Sequence, residues 1–425
     1  MQKFLSLLED NFKYLIATLI VIIPLYPKFP FVRIPGIYVS IRFEDFLLLI
    51  LAAVTLVKII LRLKEFVKDS ILRSFLVFFL IGATSLISGI FLTRTVTPGI
   101  GFLHLARRLE YLIPLFAVWA FLPVRNIEFY VKTLMLTVFI IFVYGVGQRY
   151  LNFPVIITQN EEYSKGVALR WIPGSHINST FAGHYDLASF LVLILPIFIS
   201  LLFIYKDKIS RIFLFATALF GLWLLTNSVS RISVISYLVS STLALVLLKK
   251  YKEVFLVIFV SLIFFFSSQA LLGRYLNLGV YAQESSPVSV VEDRSTSIRF
   301  NVEWPRALRA FIKNPIIGTG YSSIGLATDN DYLRALGEVG ILGFSAFILI
   351  LVRVSEVFYK VRDRLNDFTD IEKGFIAGII GGFVGILLNA MFIDIFEASK
   401  FAIMLWLFIA LAVYLIKDKL NEQKI

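Results

Sequence analysis

The chain has no cysteine and only three histidines in 425 residues. The first absence excludes disulfides, iron–sulfur clusters and thiolate zinc sites. It also removes one hazard for loops that face an oxidising compartment. Charge is scarce as well: Asp, Glu, Lys and Arg make up 16% of the residues, against about 25% in an ordinary globular chain. No P-loop and no Gly-rich nucleotide fingerprint occurs, so nothing supports an ATPase or a nucleotide-sugar enzyme on the inner face. The net charge of +12 does not indicate nucleic acid, because the basic residues lie scattered at the ends of apolar blocks rather than on one face. The two halves show no matching Gly/Pro-broken segments of the kind that mark an inverted-repeat transporter.

What is present in excess is apolar: 58% of residues, 42 of them Phe, against about 45–50% apolar in soluble domains. The excess is gathered in long blocks, which makes this an all-α polytopic membrane protein. At roughly 20 apolar residues per crossing, twelve spans are expected, at about 10–27, 43–63, 71–92, 99–121, 127–149, 182–205, 209–228, 232–249, 252–272, 337–359, 371–392 and 398–416. Residues 1–425 therefore read as a single integral membrane domain. The first block ends in Pro27-Lys28-Phe29-Pro30 with no small-residue cleavage site, so it reads as an uncleaved span. More than half of the 41 basic residues fall on one side of this arrangement, among them Lys58, Arg62, Arg73, Lys206, Arg211, Lys249, Arg353 and Arg362. That side is the cytoplasm, together with both termini, in a cytoplasmic (inner) membrane. Two long loops, about 150–181 and 273–336, then face outward.

The loop at 273–336 is where polar chemistry concentrates. The stretch Gln283-Glu284-Ser285-Ser286-Pro287 reads as irregular. From Ser295 to Ile312, Ile298, Val302, Leu308 and Phe311 recur near helical spacing with Arg299, Arg306 and Arg309 between them. This is the pattern of an amphipathic helix on the outer membrane surface, stopped by Asn314-Pro315. A solvated connector competes with an active-site loop; loops this long in compact proteins are more often functional. Other ionisable or polar groups lie at membrane depth: Arg107, Arg108 and Glu110 in the fourth span, Asn227 and Arg231 in a short outer turn, and His184 and Asp186 opening the sixth span. Such groups are functional candidates by default. One of Arg107 and Arg108 is also a candidate structural partner for Glu110. Arginines converging from separate elements suit a diphosphate, which guanidinium forks bind through paired hydrogen bonds. Asp329 and Asp331 are too few to argue for a divalent cation, so no metal and no other cofactor is expected.

The order of motifs resembles the O-antigen ligase/polymerase family of bacterial membrane glycosyltransferases. The segments that carry the likeness are Arg107-Arg108-Leu109-Glu110-Tyr111, Arg170 followed by Ser179-Thr180-Phe181-Ala182-Gly183-His184-Tyr185-Asp186, Ser230-Arg231, Arg299 to Trp304, Asn314-Pro315-Ile316-Ile317-Gly318-Thr319-Gly320, and Asp329-Asn330-Asp331-Tyr332 through Glu338 to Gly343. The resemblance implies a GT-C-type helical bundle of about 12 transmembrane helices, with an outward site near the membrane surface. It implies transfer of a glycan from a polyprenyl-diphosphate-linked oligosaccharide to an acceptor glycan or glycolipid, amid membrane lipids and with flippase and chain-length regulators as partners. Ligases of this family carry His before Asn in the last motif, where this chain has Asp329. That favours polymerisation over ligation, and a lipid-linked oligosaccharide flippase stands as the alternative from another class.

The proposed chemistry is inverting transfer. Arg231 and Arg299 would neutralise the leaving diphosphate, with Arg107 and Arg170 as further ligands. Asp329 is the candidate base, with His184 and Glu110 as alternatives. Asn330 and Tyr332 are substrate-binding candidates, and Tyr332, Trp304 and Tyr321 could stack on sugars. Glu338 would pair with an arginine and set the geometry.

Overall fold

The computed structural model describes residues 2–27, 30–33, 40–157, 167–279, 294–325 and 327–422. The irregular stretch expected around Gln283 lies outside the described residues. Almost everything else is helical: α1 (Gln2–Leu25), α2 (Phe43–Leu61), α3 (Leu63–Lys68), α4 (Ser70–Phe91), α5 (Pro98–Tyr111), α6 (Ile113–Ala120), α7 (Ile127–Tyr150), α8 (His184–Ile204), α9 (Lys208–Ser228), α10 (Arg231–Leu247), α11 (Tyr251–Phe266), α12 (Gln269–Gly279), α13 (Arg294–Ile298), α14 (Trp304–Lys313), α15 (Asp331–Val361), α16 (Asp370–Asn389) and α17 (Ser399–Glu422). Two short antiparallel ribbons, Pro30–Arg33 with Ser40–Arg42 and Val155–Ile157 with Val167–Leu169, sit in connections where the sequence pattern gave no strand signal.

Each of the twelve expected spans falls on helix. Among the described residues, seven helices are long and apolar enough to cross a membrane: α4, α7, α8, α9, α15 with the turn that follows it, α16 and α17. The apolar parts of α1 and α10 are shorter. The fourth expected span is not continuous. It breaks between Tyr111 and Ile113 into α5 and α6, with Pro114 in the first turn of α6. Proline has no N–H to give to the preceding turn and its ring opposes the carbonyl there, so the helix restarts.

The core is built around α8 and α17, whose apolar residues are buried on all sides, as befits helices that are hydrophobic all round. Small residues let α16 approach closely: a Cβ at Gly381 would stand 2.2 Å from the Ser240 carbonyl oxygen, so only glycine permits this contact. A short polar chain ties three helices within the apolar interior. Asn389 of α16 donates to the Ser189 hydroxyl of α8 at 2.8 Å and accepts from Ser233 of α10 at 3.1 Å. Buried polar groups of this kind cost little once each has a partner.

The start of α8, the start of α10, the end of α16 and the starts of α15 and α17 meet at one end of the bundle. The turn between α9 and α10 is tighter than expected. Asn227 still belongs to α9, Arg231 opens α10, and only Val229 and Ser230 lie between the helices.

Candidate active site

The amphipathic stretch expected from Ser295 to Ile312 is helix from Arg294 to Lys313, with one irregularity. Residues Arg299–Glu303 form a π-helical turn between α13 and α14, a wider coil that recurs at functional sites. Asn314 ends α14, as Asn314-Pro315 requires. The π turn aims Arg299 inward. Its guanidinium meets the Asp329 carboxylate at 2.8 Å and lies within 3.4 Å of the Tyr185 hydroxyl. Arg299 is 8% exposed. Three separated segments are thus joined: the surface helix, the loop before α15, and the first turn of α8.

Asp329 has φ of +49°, a left-handed conformation that non-glycine residues adopt at a cost. A carboxylate from another loop holds it there. The two oxygens of Asp394 accept the backbone N–H groups of Thr328, Asp329 and Asn330 at 2.6, 3.0 and 3.1 Å, and the Arg334 guanidinium at 2.9 Å. The clasp is reciprocal, because Asp331 accepts the N–H groups of Ile395 and Phe396 at 2.8 and 3.3 Å. Burial raises the pKa of Asp394, but Arg334 and the backbone donors pull harder, and the net lies below the usual carboxylate value. Asp329 goes the other way. Burial, with Asp394 nearby, outweighs the attraction of Arg299 and raises it.

Beneath this clasp lies a dry layer of ion pairs. Arg108 reaches Glu338 at 2.7 Å and also pairs with Glu397, while Arg334 stands 3.6 Å from Glu338. The Arg108 guanidinium lies over the Tyr321 ring, 4.3 Å from its centre. Backbone closes the layer. The Glu338 carbonyl accepts from Gly320 N–H and from the Ser85 hydroxyl. Gly318 and Gly340 both have positive φ, and a Cβ on either would come within 2.5 Å of the other's strand of backbone. Glycine is therefore required where Asn314–Gly320 folds onto the kink of α15.

The remaining candidates divide. Asn330 caps α15 by accepting the Leu333 N–H at 2.9 Å, and Tyr332 spends its hydroxyl on the Leu387 carbonyl at 2.8 Å; both fix the frame around Asp329. Glu338, 1% exposed, pairs with arginine as expected, in the layer below the surface. His184 stacks on His176 at 3.7 Å and meets the tilted ring of Tyr185, the neighbour of Arg299, at 4.0 Å. Arg231 opens α10, and its carbonyl takes the Tyr275 hydroxyl at 3.0 Å. Arg170 is exposed in the segment after the second ribbon. Arg107 is the partner of Glu110, at 2.9 Å, and of Asp45 on α2, also at 2.9 Å. It is Arg108, the adjacent residue, that joins the charged layer. Asp394 and Glu397 carry no sequence motif, and Tyr185 and Glu303 lie within quoted motifs that assign them no role. Asp394 and Glu397 stand in the short turn between the last two expected spans, where their acidity is legible but their distant partners are not. Among the described residues, no group of three or more His, Asp or Glu is placed to hold a metal ion.

The fold and site define a multi-pass helical membrane protein whose buried arginine–carboxylate layer gathers at one end of the bundle. Residues 215–348 match the family model described as O-antigen ligase. The match runs from within α9 into α15 and contains Arg231, Arg299, Asp329, Asn330, Tyr332 and Glu338; Arg107, Arg170 and His184 precede it, and Asp394 and Glu397 follow it. The chain thus resembles the O-antigen ligase/polymerase family, in the region that carries the site, which supports a ligase- or polymerase-type function in surface polysaccharide biosynthesis. No curated protein matches the chain.

Proposed function

We propose that this protein transfers a glycan from a polyprenyl-diphosphate carrier to an acceptor sugar, polymerising repeat units of a surface polysaccharide on the outer face of the cytoplasmic membrane. The observation that carries the reading is the Arg299–Asp329 pair: a guanidinium and a carboxylate at 2.8 Å, on two segments that lie in the matched region, at the end of a membrane bundle where a lipid-borne substrate arrives. An arriving diphosphate competes with Asp329 for Arg299. The guanidinium then neutralises charge growing on the leaving oxygen, with Arg231 as its companion. The freed carboxylate takes the proton of the acceptor hydroxyl. The acceptor oxygen bonds to the anomeric carbon from the face opposite the diphosphate, which inverts the configuration. Burial has already raised the affinity of Asp329 for a proton, which suits a base better than an ordinary aspartate.

A second reading is ligation to a lipid or protein acceptor, favoured by the description of the matched family model. Purified protein in liposomes with polyprenyl-diphosphate-linked oligosaccharide as the sole substrate separates the two. A ladder of longer lipid-linked products is the expected outcome. Product that forms only after a lipid or protein acceptor is added would replace polymerisation by ligation. Lipid scrambling with no product at all would contradict glycosyl transfer and favour a flippase.

A further inference from the structure

Three polar atoms around Asp329 have no hydrogen-bond partner among the described residues although each is buried: one carboxylate oxygen of Glu303, the indole Nε1 of Trp304 and the hydroxyl of Thr328. Thr328 is 0% exposed. The three border one loop. Thr328 gives its backbone N–H to Asp394, Glu303 lies in the field of Asp329 and Asp394, and the Trp304 ring stands 6.1 Å from Phe392 in the same loop as Asp394. Buried polar atoms in native proteins are nearly always paired, so a group of three unpaired ones beside a site points to a polar ligand.

Their chemistry narrows the class. An indole N–H only donates, a carboxylate accepts, and a hydroxyl does both, a mixture that fits hydroxyl groups on a ligand. Trp304 and Phe300, with ring centres 4.6 Å apart, supply aromatic surface next to them. A pyranose offers both partners, an apolar C–H face for the ring and hydroxyls around its edge. A carboxyl at this position disfavours an anion, so the diphosphate belongs on the arginine side. Glu303 stands four residues after Arg299 on the π turn; Arg299 pairs with Asp329, and Glu303 lies within the field of that carboxylate.

We propose that Glu303, Trp304 and Thr328 form the subsite for the acceptor sugar, with Trp304 against its apolar face and Glu303 and Thr328 hydrogen-bonded to its hydroxyls. The assignment to the acceptor rather than the donor rests on the glycosyl-transfer reading above, in which Asp329 takes the proton of the hydroxyl that attacks. Burial, reinforced by Asp329 and Asp394, pushes the Glu303 carboxyl up to about 7. Near neutrality it therefore both donates to and accepts from a hydroxyl.

Two measurements on the purified full chain test this. The first titrates the protein with the oligosaccharide released by mild acid from the host cell's own lipid-linked glycan, which carries no diphosphate, and follows tryptophan fluorescence. The expected result is a saturable change that disappears in Trp304→Phe, with affinity weakened about tenfold in Glu303→Ala and Thr328→Val, each of which removes a hydrogen-bonding group. No saturable change in the parent protein, or the same change in Trp304→Phe, overturns the subsite. The second follows transfer kinetics. With the released oligosaccharide supplied as acceptor, its KM rises about tenfold in Glu303→Ala while the KM for the lipid-linked donor stays within about twofold. A parallel rise of both overturns the acceptor assignment. Trp304→Phe keeps an aromatic ring, so an unchanged unfolding midpoint separates a lost contact from a lost fold. Sugar binding without any transfer by the parent protein would leave the subsite standing and remove the proposed function.

Discussion

The two ends of the bundle use charge in opposite ways. At the end where α2, α8 and α15 turn over to α3, α9 and α16, several ion pairs are local in sequence and open to solvent, beside a few that tie helices together, such as Lys417 with Asp69 at 2.8 Å. Arg353 and Glu356 are one turn apart with side chains 36% and 43% exposed, and Arg362 and Asp363 are neighbours at 48% and 77%. At the other end the pairs that join separate elements are dry: Arg334 with Asp394, 60 positions apart, at 4% and 11%, and Arg108 with Glu338, 230 positions apart, at 15% and 1%. Exposed pairs contribute little to stability and ask little of the fold. Buried ones cost desolvation, and continued burial of several together marks a place where charge is needed for something other than solubility. The contrast separates snorkelling cations at a membrane face from a preorganised site.

The contrast can be broken or sharpened by substitution. The largest effect is expected at Arg299. Arg299→Ala should slow transfer by about 10²–10³-fold, as losing a comparable preorganised donor does, whereas Arg362→Ala should leave the rate unchanged; equal effects in the liposome assay would erase the distinction between the two ends. Next in size is Arg334→Met, which leaves Asp394 without its cation in the interior and Glu338 with Arg108 alone. It should cost about 3–5 kcal/mol, read as a lowered unfolding midpoint in detergent.

A smaller effect concerns pH. The Glu303 carboxyl is pushed up to about 7 from an ordinary 4.5 by burial first, and by Asp329 and Asp394 second. The folded protein thus holds this proton more tightly than the unfolded chain. Its contribution makes stability fall as pH rises from about 4.5 to about 7, and level off above. Unfolding midpoints measured across that window should decline in the parent protein and decline less in Glu303→Gln; identical slopes would show that Glu303 does not titrate there. The smallest effect belongs to Arg353→Ala, about 0.5 kcal/mol or less, the size of an exposed pair one helical turn apart.

How much of this was legible in the sequence depends on the range of the interaction. The apolar helices were legible because burial in lipid needs only a run of apolar residues: all twelve expected blocks fall on helix, and among the described residues seven helices are long and apolar enough to cross a membrane. The surface helix around Arg299 was legible because its polar and apolar faces alternate at helical spacing. The break at Pro114 was written in the chain but hidden inside an apolar block. Arg107 and Arg108 could not be told apart, since adjacent residues on a helix point about 100° apart and only the neighbours decide which one meets Glu110 and which one meets Glu338. Asp394 was the largest omission. Its partners are backbone N–H groups 64 to 66 residues away, and no local pattern records a carboxylate that serves another loop's backbone. The same holds for Asn330 and Tyr332, whose motif position suggested ligand contact while their side chains cap α15 and anchor it to α16.

The central claim is that Arg299 and Asp329 act as one buried unit in glycosyl transfer. A double-mutant cycle on the transfer rate tests it most directly, with Arg299→Ala, Asp329→Ala and the double variant measured at equal amounts of folded protein in liposomes. Residues that work as a unit are strongly non-additive, so the double variant should be no slower than the worse single one, with each single loss at least about 10²-fold. Single losses that simply multiply in the double variant, or a normal rate in either single variant, would contradict the account.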